Sequence, residues 1–208
     1  MKSSELILAR EVKNLGTGYP MDESLKEIIS RLWVAHENAE WIPKTDVLPL
    51  NDLQRWMANK DIEVQGFVHA MLHDGRFKIE PPIQQSDYVK FIKHYFERCL
   101  LENPDGEWSD SRYSAGGDLV NVFASLWRDP SVPRSLLTDL KTWLGKLYVE
   151  GSQEVRTCIV QATLEHLFEQ KDIRKFFTDW QKDEVLKVAF DEASEWYKGG
   201  GRTSLGRP

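Results

Sequence analysis

Several things are scarce in this 208-residue chain, and each scarcity removes a class of function. There are only two cysteines, Cys99 and Cys158, each on the apolar side of a helical pattern. They form neither a C-x-x-C pair nor a zinc framework, so they read as buried, reduced thiols acting as small hydrophobes. No stripe of Lys and Arg runs along any segment. The nearest, "KHYFER" at Lys93–Arg98, reads as the solvated face of a helix, and the formal net charge of −6 argues against nucleic-acid binding. Long apolar runs are missing too. "LILA" near the start, flanked by Glu5 and Arg10, is too short for a signal segment, and nothing approaches membrane-spanning length. The expectation is a cytoplasmic, soluble protein. Nucleotide loops and nucleophile elbows are also lacking: "GTG" and "GGG" read as a turn and a tail, and no G-x-S-x-G occurs.

What is present is helical periodicity, with 41% hydrophobic residues and eight Trp to build a core. "MDESLKEIISRLWVAHENAEW" places Leu25, Ile28, Ile29, Leu32 and Trp33 on one side. A short helix and a second one ending near Asp74-Gly75 follow in 49–77. "RFKIEPPI" favours an extended segment, and with no clear partner strand it reads as a packed loop. "SDYVKFIKHYFERCLLENP" is the clearest helix, stopped by Asn103-Pro104. "DLVNVFASLWRDP" and "PRSLLTDLKTWLGKLYVEG" repeat the pattern. "SQEVRTCIVQATLEHLFEQ", capped by Ser152, is apolar over a wide arc and reads as a central helix. A short and a long helix follow, and the tail from 198 has no apolar periodicity. The fold class is all-α: an irregular multi-helix bundle or short HEAT-like stack of eight to ten helices. Residues 1–197 read as one domain, with 198–208 a disordered tail and 76–83 the only internal boundary candidate.

Candidate chemistry is thin. His69 and His73 stand at i and i+4 and would share a helix face suited to a metal, but position 70 is Ala where a zinc-protease helix needs Glu. Met71 and Leu72 point to burial of the opposite side, leaving both imidazoles partly exposed near a helix end. "LEHLFE" offers Glu165, His166 and Glu169, in the order His-x-x-Glu. A di-metal centre needs matching elements on further helices, and only "HENAE" (His36, Glu37, Glu40) comes near. A metal-dependent helical hydrolase using His69, His73, His166 and Glu169 is therefore the alternative rather than the leading reading, and no cofactor is expected.

The stretch "NPDGEWSDSRYSAGGDL", Asn103–Leu119, differs from the rest. Asn103–Gly106 reads as a turn with Gly106 supplying a positive φ, and four residues that suit helix caps follow. One reading is an interhelical loop pinned by Trp108 and Tyr113, with Arg112 paired to Asp105, Asp110 or Asp118. The other is a recognition patch of Trp108, Asp110, Arg112 and Tyr113, since Trp, Tyr and Arg dominate interface hot spots.

The runs "DGEWSDSRYSAGGDLVNVFASLW", "LEHLFE" and "FFTDWQKDEVLKVAFDEASEW" resemble uncharacterised bacterial all-α proteins of the polymorphic-toxin immunity type, over about residues 85–197. The resemblance implies a cytoplasmic protein without catalysis that neutralises a toxin by binding it; no catalytic residue carries over. The expected partner is a basic toxin or effector domain, with no nucleic acid and no membrane. A non-catalytic adaptor is the remaining alternative.

Overall fold

The structure, a computed structural model, describes residues 47–74 and 78–198, together with Leu25, Glu27, Ile28 and Ser30. Of the first expected helix, Leu25 and Ile28 are helical and buried. Ile29, Leu32, Trp33, the "HENAE" residues and the tail beyond Lys198 lie outside the described residues. The chain forms two compact units, one comprising 1–83 with Glu107–Ser109, the other 84–106 with 110–208. The break at Ile83 falls at the end of the extended segment that the sequence marks as the internal boundary candidate.

In the first unit, β1 (Val47–Pro49) leads into α1 (Leu50–Met57), then α2 (Ile62–Asp74) and β2 (Lys78–Glu80). The two strands pair in parallel, with Leu48 opposite Ile79. This corrects the packed-loop expectation for "RFKIEPPI": the partner is the three-residue segment "VLP", too short to announce itself by alternation. Helix α1 buries Leu53 and Trp56, while α2 is buried continuously from Val64 to His69. The turn into α2 is held by side chains: Asn59 accepts from the Asp61 amide at 2.9 Å, and Asp61 from the Glu63 amide at 3.0 Å. Buried Gln65 donates back to the Asn59 carbonyl at 2.8 Å.

The second unit is helical throughout its described residues: α3 (Gln85–Glu102), α4 (Arg112–Arg128), α5 (Arg134–Glu150), α6 (Gln153–Cys158), a π-helical turn (Ile159–Leu164), α7 (Glu165–Phe168), α8 (Lys171–Phe176), a 3-10 turn (Thr178–Lys182) and α9 (Glu184–Lys198). With α6, the π turn and α7 counted as one continuous helix, eight helices occupy the described residues, so the all-α expectation holds. Helix α3 ends where Asn103 turns left-handed at φ 49°, a conformation Asn tolerates better than most residues. Asp105 follows at φ 45°, so two non-glycine residues of this turn, on either side of Pro104, take positive backbone angles. The helix with the wide apolar arc is central, as its pattern predicts: Val155, Cys158, Ile159, Val160, Leu164, Leu167 and Phe168 are all buried.

The core of the second unit is rich in aromatic rings. Phe177 meets Phe123, Phe168 and Trp180 with centroids 5.0–5.7 Å apart. Among the described residues of both units, Trp56, Trp143 and Trp180 are buried, and Trp108, Trp127 and Trp196 half-buried. Polar ties join α5 to its neighbours: Trp143 donates from Nε1 to Glu97 at 3.0 Å, and buried Lys141 donates to both Asp179 oxygens at 2.8 Å and to the Phe176 carbonyl at 3.0 Å. Three donors meeting three acceptors is what lets an ammonium sit out of water.

Candidate docking surface

Helix α4 begins at Arg112, six residues before the start that its apolar periodicity suggests. Gly116 and Gly117 look like loop residues in sequence, but here they lie inside the helix, and tertiary packing explains one of them. A Cβ on Gly116 would stand 2.6 Å from the Ala162 methyl and 3.3 Å from the Cys158 sulfur, whereas one on Gly117 would meet nothing within 4 Å. The close approach at Gly116 seats α4 on the π turn, and the Thr163 hydroxyl seals it by donating to the Gly116 carbonyl at 3.0 Å. A π turn widens the helix locally and is often kept for a purpose; here its Ala162 and Thr163 form the bed for α4. Ser111 caps the helix, accepting weakly from the Ser114 amide at 3.3 Å.

The four residues of the recognition patch have different surroundings. Trp108 belongs to the first unit, where its ring stands edge-on to Phe67 at 5.2 Å and its amide donates to Glu63 Oε2 at 2.8 Å. The other Glu63 oxygen accepts from the Ser109 hydroxyl. Gly66 is required beneath this loop, because a Cβ there would lie 2.2 Å from the Trp108 carbonyl oxygen. Asp110, in the second unit, exchanges two hydrogen bonds with Tyr95. The phenol donates to its Oδ2 at 2.8 Å, and its amide donates to the phenol oxygen at 2.9 Å. Burial raises the Tyr95 hydroxyl pKa well above the ordinary tyrosine range.

Arg112 donates from Nε to the Leu100 carbonyl at 2.6 Å, and its amide donates to the Asn103 side chain at 3.0 Å. Its guanidinium thus closes the carboxyl end of α3, a placement favoured by the helix dipole. Tyr113 alone of the four is exposed, at 53%, with its hydroxyl 3.4 Å from Gln161 in the π turn.

Two further exposed residues near this junction are not marked by the sequence pattern. Leu101, next in the chain to the carbonyl that Arg112 binds, is 50% exposed, although it sits in a helix whose apolar positions look wholly internal. Gln161 is placed by the π turn, which periodicity does not register. Acidic groups border the junction: Asp105 is exposed, Glu102 is paired through both oxygens with Arg98 at 2.8 and 3.0 Å, and Glu154 is held below the usual carboxylate range by the Ser152 hydroxyl first, with Arg112 adding to the effect.

The reactive-group candidates are placed as follows. Both thiols are buried, and burial pushes Cys99 up to about 12 and Cys158 to about 11. Such thiols hold little thiolate at neutral pH and make poor nucleophiles. His69 is buried, contrary to the expected partial exposure, because α2 is covered on all sides over that stretch; His73 is exposed, with ring centroids 6.1 Å apart. His166 and Glu169 are exposed neighbours 3.5 Å apart, and the His166 ring stands against Trp196 at 5.6 Å. Within either unit by itself, no three His, Cys, Asp or Glu ligand atoms converge among the described residues. No helix of the described residues is long and apolar enough to cross a membrane.

Comparison of the chain with family models, with curated proteins and with solved structures gave no match.

Proposed function

We propose that this chain is a protein-binding module, and that its docking surface is the junction of α3 and α4 around Tyr113 and Leu101. The observation that carries the reading is the exposure of Tyr113 at 53% on a base that does not give: Gly116 is keyed into the π turn, and Arg112 is tied to the end of α3. Hot-spot residues are most effective when held in their bound geometry before the partner arrives, because little side-chain freedom is then lost on binding. Leu101 adds apolar area, and Asp105 and Glu154 supply negative charge at the rim. With a net charge of −6, the chain suits a basic partner, whose approach it speeds electrostatically. In its most concrete form the proposal is an immunity-type inhibitor that occludes a basic toxin domain.

Trp108 and Asp110 take a different part in this reading. They hold the intervening loop, and Tyr113 and Leu101 meet the partner. The test is capture from the native host with the purified chain, followed by identification and reconstitution of the pair. A stoichiometric complex with a protein of basic isoelectric point, whose association rate falls as salt rises, supports the proposal. An acidic partner, or association insensitive to salt, rejects it.

A further inference from the structure

The turn from α4 into α5 assembles a different chemistry. Asp129 closes α4, its carboxylate accepting from the Ser131 hydroxyl at 2.7 Å and amide at 2.8 Å. Pro133 then presets the first turn of α5. Trp127, on the last turn of α4, packs against Phe176 of α8 at 5.3 Å and Phe123 at 6.4 Å, so its indole is fixed in place. Over that indole lies the guanidinium of Arg134, with its central carbon 3.6 Å from the ring centroid.

Two cations share this aromatic group, and they are treated differently. Lys141 lies 4.3 Å from the Phe176 ring and is buried with every donor satisfied. Arg134 is exposed, and among the described residues its guanidinium has no hydrogen-bond or ion-pair partner. A guanidinium whose central carbon lies 3.6 Å from an indole centroid is held by the ring face and leaves its N–H edge for another acceptor. That edge matches the two oxygens of a carboxylate. Arg128, beside Trp127 in the chain, and Lys175, beside Phe176, are both exposed and add positive charge.

We propose that Arg134, held on Trp127, is a carboxylate-binding fork that engages a single carboxylate side chain of a protein partner. The same segments also carry exposed Asp129, Asp139 and Asp172, so charges of both signs are mixed there and do not form the continuous cationic track that a nucleic-acid backbone requires. One oriented fork among scattered charges fits a carboxylate side chain. This site is independent of the surface at Tyr113 and stands whether or not that surface binds.

The experiment is an NMR titration of the 15N-labelled full chain with a short end-capped peptide carrying one glutamate among neutral residues, following the Arg134 Nε–H and Trp127 indole N–H signals. Saturable shifts of both are expected. Arg134→Gln should abolish them, and Arg134→Lys should weaken binding at least about tenfold, because lysine keeps the charge but loses the fork. Both variants should leave the remaining amide spectrum unchanged, since the side chain is exposed. No saturable shift, undiminished binding by Arg134→Lys, or tighter binding of inorganic phosphate than of the peptide would each overturn the proposal.

Discussion

Thr163 donates its hydroxyl to the carbonyl oxygen of Gly116 across a helix contact where both residues are buried. The bond exists because Gly116 has no side chain to hold the two helices apart, and because the π turn places Thr163 over that carbonyl. The base of Tyr113 rests on this contact.

The two adjacent glycines of α4 should therefore respond oppositely to a methyl group. Gly116→Ala forces Ala162 and Cys158 to move and should cost about 1–3 kcal/mol, the usual range for overpacking. Gly117→Ala enters open space inside a helix and should stabilise by about 0.4–1 kcal/mol, by restricting the unfolded chain and favouring helix. Urea denaturation of the two variants checks this, and equal effects would contradict the packing described.

In the first unit, Glu63 holds the loop through the Trp108 amide and the Ser109 hydroxyl. Glu63→Ala removes the acceptor from both donors and should destabilise by about 1–3 kcal/mol, the cost of leaving buried polar groups unpaired. Trp108→Ala adds the loss of ring packing on Phe67. Neither variant isolates docking, because each acts on an internal contact. A Glu63→Ala protein as stable as wild type by calorimetry would show that the loop is not held this way.

Stability should fall in alkali. The Cys99 and Cys158 thiols and the Tyr88 hydroxyl are all raised by burial, to about 12, 11 and 12 from ordinary values of 9.0, 9.0 and 10.0. A raised folded pKa means that the unfolded chain releases its protons first. The contribution of these groups is complete below the unfolded values and disappears as pH climbs through the folded ones. A melting temperature steady to about pH 8.5 and falling steeply above about pH 10 is expected. At pH 8, a thiol reagent should label the denatured chain quickly and the native chain slowly.

Much of the fold could be read from the sequence because long amphipathic repeats decide it. The helix Gln85–Glu102, its stop at Asn103, the Ser152 cap and the central helix all follow from local pattern and capping chemistry. What escaped depends on tertiary partners. The strand at Lys78–Glu80 needed three residues some thirty positions earlier. The early start of α4 needed Ala162 and Thr163 to reward Gly116, which locally disfavours helix. His69 is buried because its helix is covered all round, which a count of Met71 and Leu72 could not reveal.

The residues of the proposed docking surface were legible only in part. Residue type singled out Trp108, Asp110, Arg112 and Tyr113, but type alone does not separate a side chain that holds a loop from one that meets a partner. Asp110 could equally have faced solvent; its bonds to Tyr95 depend on α3 lying alongside. Exposure isolates Tyr113 and brings in Leu101, which no motif marks.

The central claim is that Tyr113 anchors a partner, and the most direct measurement is the affinity of the reconstituted pair for wild type and for Tyr113→Ala. The phenol hydroxyl has only a long contact with Gln161, so the variant should keep its circular dichroism and melting temperature. The account predicts that the dissociation constant rises by at least about thirtyfold, the effect of losing a hot-spot residue worth about 2 kcal/mol or more. A dissociation constant within about twofold of wild type, in a variant of unchanged stability, would contradict it.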